Sequence, residues 1–118
     1  MASMFKKVVL VATGSGIGPL LSLVTQKQPM CRIIWSTPDP SIIYSDAILT
    51  KVREADPDAV IFNTSRSGRP DLVRHSYQLY CASGSEAVFV VSNPYVTRKV
   101  VYELESRGVP IFAPIFDS

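Results

Sequence analysis

Apolar runs of strand length alternate along this chain with longer segments whose apolar residues recur at helical spacing. "KKVVLVAT" (Lys6–Thr13) predicts a first strand, and "GPLLSLVTQ" predicts a helix from about Gly18. "CRIIWST" (Cys31–Thr37) predicts the second strand. In "SIIYSDAILTKVREAD", Ile48, Val52 and Ala55 share one helical face, with Lys51, Arg53 and Glu54 off it. "AVIFNTS" (Ala59–Ser65) predicts the third strand. "PDLVRHSYQLYCASG" predicts the third helix, with Pro70 near its first turn and Gly84 past its end. "EAVFVVSN" (Glu86–Asn93) predicts strand four. A fourth helix opens at Pro94 and closes at Gly108, with Val96, Val100, Val101 and Leu104 as its inner stripe. "VPIFAPIF" predicts a short fifth strand.

The order is β-α four times, then β. Strands one and four are continuous apolar runs, as expected where helices cover both faces of a parallel sheet. Right-handed crossovers then give a doubly wound, Rossmann-like α/β fold. The expected sheet has five parallel strands with helices on both faces. A length of 118 residues suits a single domain, 1–118. Ligands of such sheets bind beyond the carboxyl ends of the strands. The segments to read are therefore Thr13–Pro19, Ser36–Ser41, Asn63–Asp71 and Ser92–Tyr95.

Composition narrows the classes. Hydrophobic residues make up 47% of the chain, more than a small core needs, so an apolar face for a partner or for self-association is an alternative to a fully covered sheet. Twelve basic against ten acidic residues give a net charge of +2, with no basic run, which argues against nucleic acid. No apolar run reaches the ~18 residues of a membrane span, and no signal peptide is expected. Cys31 and Cys81 lie far apart and His75 is the single histidine, so a zinc site is disfavoured. Buried, reduced thiols in the cytoplasm, or at the cytoplasmic face of a larger protein, are the expectation.

The first turn carries the clearest chemistry. In "VVLVATGSGIGPLLSLV", a strand runs into Gly14, Gly16 and Gly18, and Pro19 starts the helix. Such a loop gathers backbone N–H groups and the positive end of a helix at one point, which attracts phosphate. Glycine there permits close approach or positive φ. The spacing is G-x-G-x-G-P rather than G-x-G-x-x-G, so a tight turn with no ligand stays open. In the third turn, "NTSRSGRPD" sets Ser65, Arg66 and Arg69 past strand three. Two guanidinium forks and a hydroxyl suit a phosphate dianion; the bland alternative pairs the arginines with Asp71 or Asp56. Asp39, roughly twenty residues beyond Gly18, competes as a ribose-binding acid. Two arginines against one aspartate favour NADPH over NADH. Trp35 either stacks near an adenine or packs in the core. His75 reads as a surface or edge residue.

These residues resemble the NADP(H)-binding domain of the ferredoxin–NADP reductase superfamily, which implies the strand order 3-2-1-4-5 for the doubly wound sheet. "TGSGIGP" is similar to the family's T/S-G-x-G-I-A/G-P motif, and "IIWSTPDPSIIYSDAI" to its second segment, with Tyr44 and Asp46. "NTSRSGRPDL" resembles the segment that holds the 2′-phosphate, its G-R-P like that of the ferric reductase and NADPH oxidase branch. "AVFVVSNPYVTRKVV" sits where the family has a strand, C-G-P and a helix. The resemblance implies that Gly14, Ser15, Gly16, Ile17, Gly18 and Pro19 cradle the pyrophosphate and that Thr13 lies near the nicotinamide. It implies that Ser65, Arg66 and Arg69 hold the 2′-phosphate and that Ser92, Asn93 and Pro94 flank the nicotinamide. The implied activity is hydride transfer from NADPH to a flavin in an electron-transfer oxidoreductase. FAD would come only through a partner domain, because the family's flavin domain is absent here. Two readings follow: a fragment or C-terminal module of a larger protein, as in large fungal proteins that resemble adenylate-forming enzymes, or a non-catalytic nucleotide- or protein-binding module. "SNP" in place of "CGP" keeps the second open. Phe112, Ile115 and Phe116 are either core or a partner-facing patch.

Overall fold

The structure is a computed structural model that describes residues 6–25, 30–40 and 46–113. Its central strand, β1 (Lys7–Thr13), is buried from Val8 to Ala12 because it has a strand on each side and a helical layer over each face. Its side chains alternate. Val8, Leu10 and Ala12 enter one core, and Val9 and Val11 enter the other. A strand buried on both faces must be apolar at every position, which explains the continuous run.

Around β1 the sheet holds β2 (Met30–Thr37), β3 (Val60–Asn63), β4 (Ala87–Val91) and β5 (Ile111–Phe112). The order is β3-β2-β1-β4-β5 and every pairing is parallel, as expected. The register sets Thr13 opposite Ser36 and Ala12 opposite Val91, so the ends of β1, β2 and β4 finish together. On the first face, α1 (Ile17–Thr25) and α2 (Asp46–Ala55) cover Leu10, Ile33, Trp35 and Phe89. Val52 is fully buried there, with Ile48 and Ala55 beside it, so the expected stripe of that helix points inward. The second face is covered by α4 (Leu72–Ser83) and α5 (Pro94–Glu105), with Val100 and Leu104 buried against Val9 and Val90.

The elements stop for local reasons. Gly84 closes α4 in the left-handed region (φ 68°), and Pro94 sits in the first turn of α5. Strand three is shorter than expected. It ends at Asn63, and Thr64–Ser67 coil into a single helical turn, α3. Asn63 drives this, because its side-chain oxygen accepts the Ser65 N–H at 3.0 Å and caps the turn. The fifth strand likewise covers only Ile111–Phe112. Phe112 stacks on Phe89 at 5.2 Å between ring centroids and joins the core; Ile115, Phe116 and Tyr44 lie outside the described residues. One thiol departs from expectation: Cys31 is buried, but Cys81 is exposed on α4.

Candidate functional site

Each strand-to-helix turn of a parallel sheet opens at the same edge, so the starts of α1, α4 and α5 converge there. A cleft of about 540 Å³ lies at that edge. Its walls include Thr13 and Gly14 at the end of β1, Thr37 and Pro38 at the end of β2, Arg69 before α4, and Asn93 and Lys99 of the β4–α5 unit. This volume is within the range of small-molecule sites.

Gly14 brings the start of the glycine turn to the cleft. Gly14–Gly16 is a 3-10 turn, and Gly14 has a φ of 53°, the region that favours glycine. The Gly14 carbonyl accepts the Trp35 indole N–H at 2.9 Å. That bond fastens the turn to β2 and buries Trp35 completely, so the ring belongs to the core rather than to an adenine platform. The three glycines serve different ends. A Cβ on Gly16 would stand 2.6 Å from the Val91 carbonyl oxygen, so β4 itself excludes a side chain there. A Cβ on Gly18 would meet nothing within 4 Å. Ile17 turns its side chain into the core and offers only backbone to the edge; Ser15 is exposed and Pro19 half-buried.

The ends of β1 and β4 meet through a hydrogen bond between the Thr13 and Ser92 hydroxyls. Thr13 therefore does not cap the turn that follows it. The Asn93 side chain accepts the Val96 N–H at 2.9 Å and so caps α5, with exposed Pro94 next to it. Ser92 and Asn93 thus engage their side chains in holding the strand end and the helix start.

The arginine segment divides. Arg69 lines the cleft, whereas Ser65 and Arg66 are exposed on α3, outside its walls. The Ser65 hydroxyl donates to the Asp39 carboxylate at 3.0 Å. The pairing of the arginines with Asp71 or Asp56 does not occur. Asp71 caps α4 by accepting the Arg74 N–H at 3.1 Å, and Asp56 pairs with Arg32 at 3.1 Å. Among the described residues neither Arg66 nor Arg69 is in an ion pair. Lys99, one turn into α5, joins Arg69 on the cleft wall. In sequence it reads as a solvated helix position, and only the packing of α5 beside α4 turns it to the edge. The walls thus carry two cations, and their one carboxylate, Asp71, is engaged as a helix cap. Such a site suits an anion. His75 is half-buried, 4.8 Å from the Phe62 ring, away from the cleft walls. Asp46 is exposed at the start of α2.

The family model described as adenylate-forming reductase 03009, C-terminal domain, matches residues 1–118. Two proteins of Coprinopsis cinerea, adenylate-forming reductases 03009 and 06235, are 40% and 42% identical to the chain over all 118 residues. The chain spans 12% of the length of each. Among solved structures, the C-terminal domain of a Pyrococcus furiosus hydrogenase is similar over 92% of this chain and 90% of its own, with a TM-score of 0.68 and 14% identity. The Plasmodium falciparum ferredoxin–NADP+ reductase with 2′P-AMP is similar over 94% of this chain and 53% of its own, with a TM-score of 0.63 and 12% identity. The fold is thus of the ferredoxin–NADP reductase type.

Proposed function

Since this chain belongs to the family of adenylate-forming reductase 03009 C-terminal domains, we propose that it is the NADPH-binding module of a larger reductase. The observation that carries this reading is the cationic cleft that joins the glycine turn to Arg69 and Lys99 at the carboxyl edge of the sheet. The ferredoxin–NADP+ reductase that shares the fold was solved with 2′P-AMP, the 2′-phosphorylated end of NADP, which supports the same class of ligand here.

The residues suit the parts of the nucleotide. Gly14 and the start of α1 would take the pyrophosphate, where the helix end is positive and Gly18 leaves open space. Arg69, with Arg66 beyond the wall, would take the 2′-phosphate, the planar guanidinium fork matching its oxygens. Lys99 would add a second charge across the cleft. Thr13 and Ser92 would lie under the nicotinamide, holding each other and so fixing the two strand ends that carry it. NADPH supplies a hydride. This chain's part is to bind and orient it toward an acceptor held by another domain, of which a flavin is one form. A non-catalytic nucleotide-binding module is the second reading. Its support is that Asn93 and Ser92, in place of the resembling family's Gly and Cys, spend their polar groups on the turn.

Calorimetric titration with NADP+, NAD+ and 2′,5′-ADP tests the binding claim. Binding of NADP+ and 2′,5′-ADP is expected, with NAD+ weaker. Absence of binding by all three at millimolar concentration would contradict it. Reduction of an added flavin by NADPH, measured with the full-length reductase, separates the two readings.

A further inference from the structure

A second hollow lies beside the cleft. It is a groove of about 590 Å³ between α4 and α5, open along their exposed sides. Its walls carry three cations, Arg74, Lys99 and Arg107, against two carboxylates, Asp71 and Glu103. Both carboxylates are engaged within the fold. Asp71 caps α4, and Glu103 accepts from Arg107 at 3.0 Å. Arg107 is held a second time, its guanidinium 5.9 Å from the centre of the Tyr77 ring, which links α4 to the turn after α5. Arg74 and Lys99 are exposed, and among the described residues neither is in an ion pair. Asp71 and Lys99 also line the cleft, so groove and cleft meet there.

We propose that this groove docks an acidic peptide segment from the rest of the larger reductase, beside the mouth of the nucleotide cleft. The proposal rests on the reading of the chain as a module of such a protein. Charge argues for this occupant. A segment rich in Asp and Glu supplies the carboxylates that Arg74 and Lys99 lack, whereas a basic segment is repelled by them. A second copy of the chain, itself of net charge +2, brings no excess of acid to the groove. Tyr77 and Arg107 are already held against each other, and they are residue types enriched at protein interfaces. The chain spans 12% of the length of its adenylate-forming reductase relatives, so a protein of that kind has many other segments. One tied to the same polypeptide reaches the groove at a high effective concentration. Because Lys99 faces both hollows, an occupant of the groove draws on a charge that the nucleotide phosphate also uses. Each ligand then weakens the other by the same factor.

Two experiments test this. The first is fluorescence anisotropy of labelled hexaglutamate and hexalysine on the 118-residue chain at low salt. Hexaglutamate is expected to bind and hexalysine not to bind. Arg74→Gln is expected to weaken hexaglutamate about fivefold, and Arg74→Glu by more, while 2′,5′-ADP affinity changes little in both. Equal binding of hexaglutamate by the parent and both variants would overturn the proposal. The expected losses in a chain that fails to bind 2′,5′-ADP would support the groove and contradict the nucleotide reading instead. The second experiment sets a photoreactive phenylalanine analogue in place of Gln78, a groove residue, in the full-length reductase. The expected cross-link forms within one polypeptide, to a segment rich in Asp and Glu. Cross-links to a second copy, to a segment without acidic residues, or to nothing would overturn the assigned occupant.

Discussion

The two glycines at positions 16 and 18 answer to different constraints, and substitution separates them. Gly16 faces the Val91 carbonyl so closely that alanine must displace β4 or the turn. Gly16→Ala is expected to lower stability by about 2–3 kcal/mol, read as a lower denaturant midpoint at unchanged slope. Gly18 has room in the first turn of α1, so Gly18→Ala is expected to leave stability unchanged or raise it by up to ~1 kcal/mol. If the pyrophosphate packs there, the same variant binds NADP+ at least about tenfold more weakly. A stable Gly18→Ala chain with full affinity would move the nucleotide away from that helix end. The cysteines also divide. Burial first, and the Asp56 charge second, push the Cys31 thiol from 9.0 up to about 11. Below pH 9 both the folded and unfolded chains hold the proton. Between pH 9 and 11 only the unfolded chain releases it, so stability falls as pH rises through that window. Cys31→Ala is expected to lose this part of the alkaline slope in urea melts across pH 8–11. Cys81, being exposed, is expected to react with a thiol reagent in the folded state while Cys31 does not.

At the scale of the element, one buried carboxylate ties three segments. Asp56 is 3% exposed and accepts from Arg32 Nε, from the Ile33 N–H at 2.9 Å and from the Asp58 N–H at 3.0 Å. It thereby fastens the loop after α2 to the start of β2. Asp56→Ala strands a buried N–H and a half-buried guanidinium, and is expected to destabilise by about 3–5 kcal/mol in a urea melt. Ser76 is the opposite case. Its hydroxyl is fully buried on α4 with no partner among the described residues. Ser76→Ala is expected to raise stability, by about 1 kcal/mol in the same assay. The strands and long helices were legible in the sequence because their signals are local: apolar runs, inward stripes, Pro94 and Gly84 at helix ends. The turn α3 was not. Thr64 is β-branched and reads as one more residue of strand three, and only the fold of the Asn63 side chain onto the Ser65 N–H reveals a cap. Asn93 shows the same limit, since a helix-capping side chain and a ligand-facing one look alike in sequence.

For the whole molecule, the parallel doubly wound sheet followed from alternation and crossover handedness, its strand order from the family resemblance, and the carboxyl edge from the parallel strands. The composition of the edge did not follow so directly. Gly14 and Arg69 were readable from motifs, but Lys99 reaches the cleft only because α5 packs beside α4, a contact that no local pattern encodes. Trp35 left an adenine platform and core packing both open in sequence, and its indole on the Gly14 carbonyl, with the ring fully buried, decides for the core. If the cleft works as one anion site, Arg69→Ala and Lys99→Ala should each weaken 2′,5′-ADP by ~1.5–3 kcal/mol while melting temperatures stay near the parent's. The losses of the double variant should fall short of their sum, because both charges would act on one ligand.

The most direct test of the central claim is a nitrogen–proton chemical-shift titration of the chain with NADP+. The expected result is that the largest changes fall on the backbone amides of Gly14, Gly18, Arg69, Asn93 and Lys99, at the carboxyl edge of the sheet. Unchanged amides at that edge, or changes confined to another surface, would contradict the assignment of the cleft as the nucleotide site.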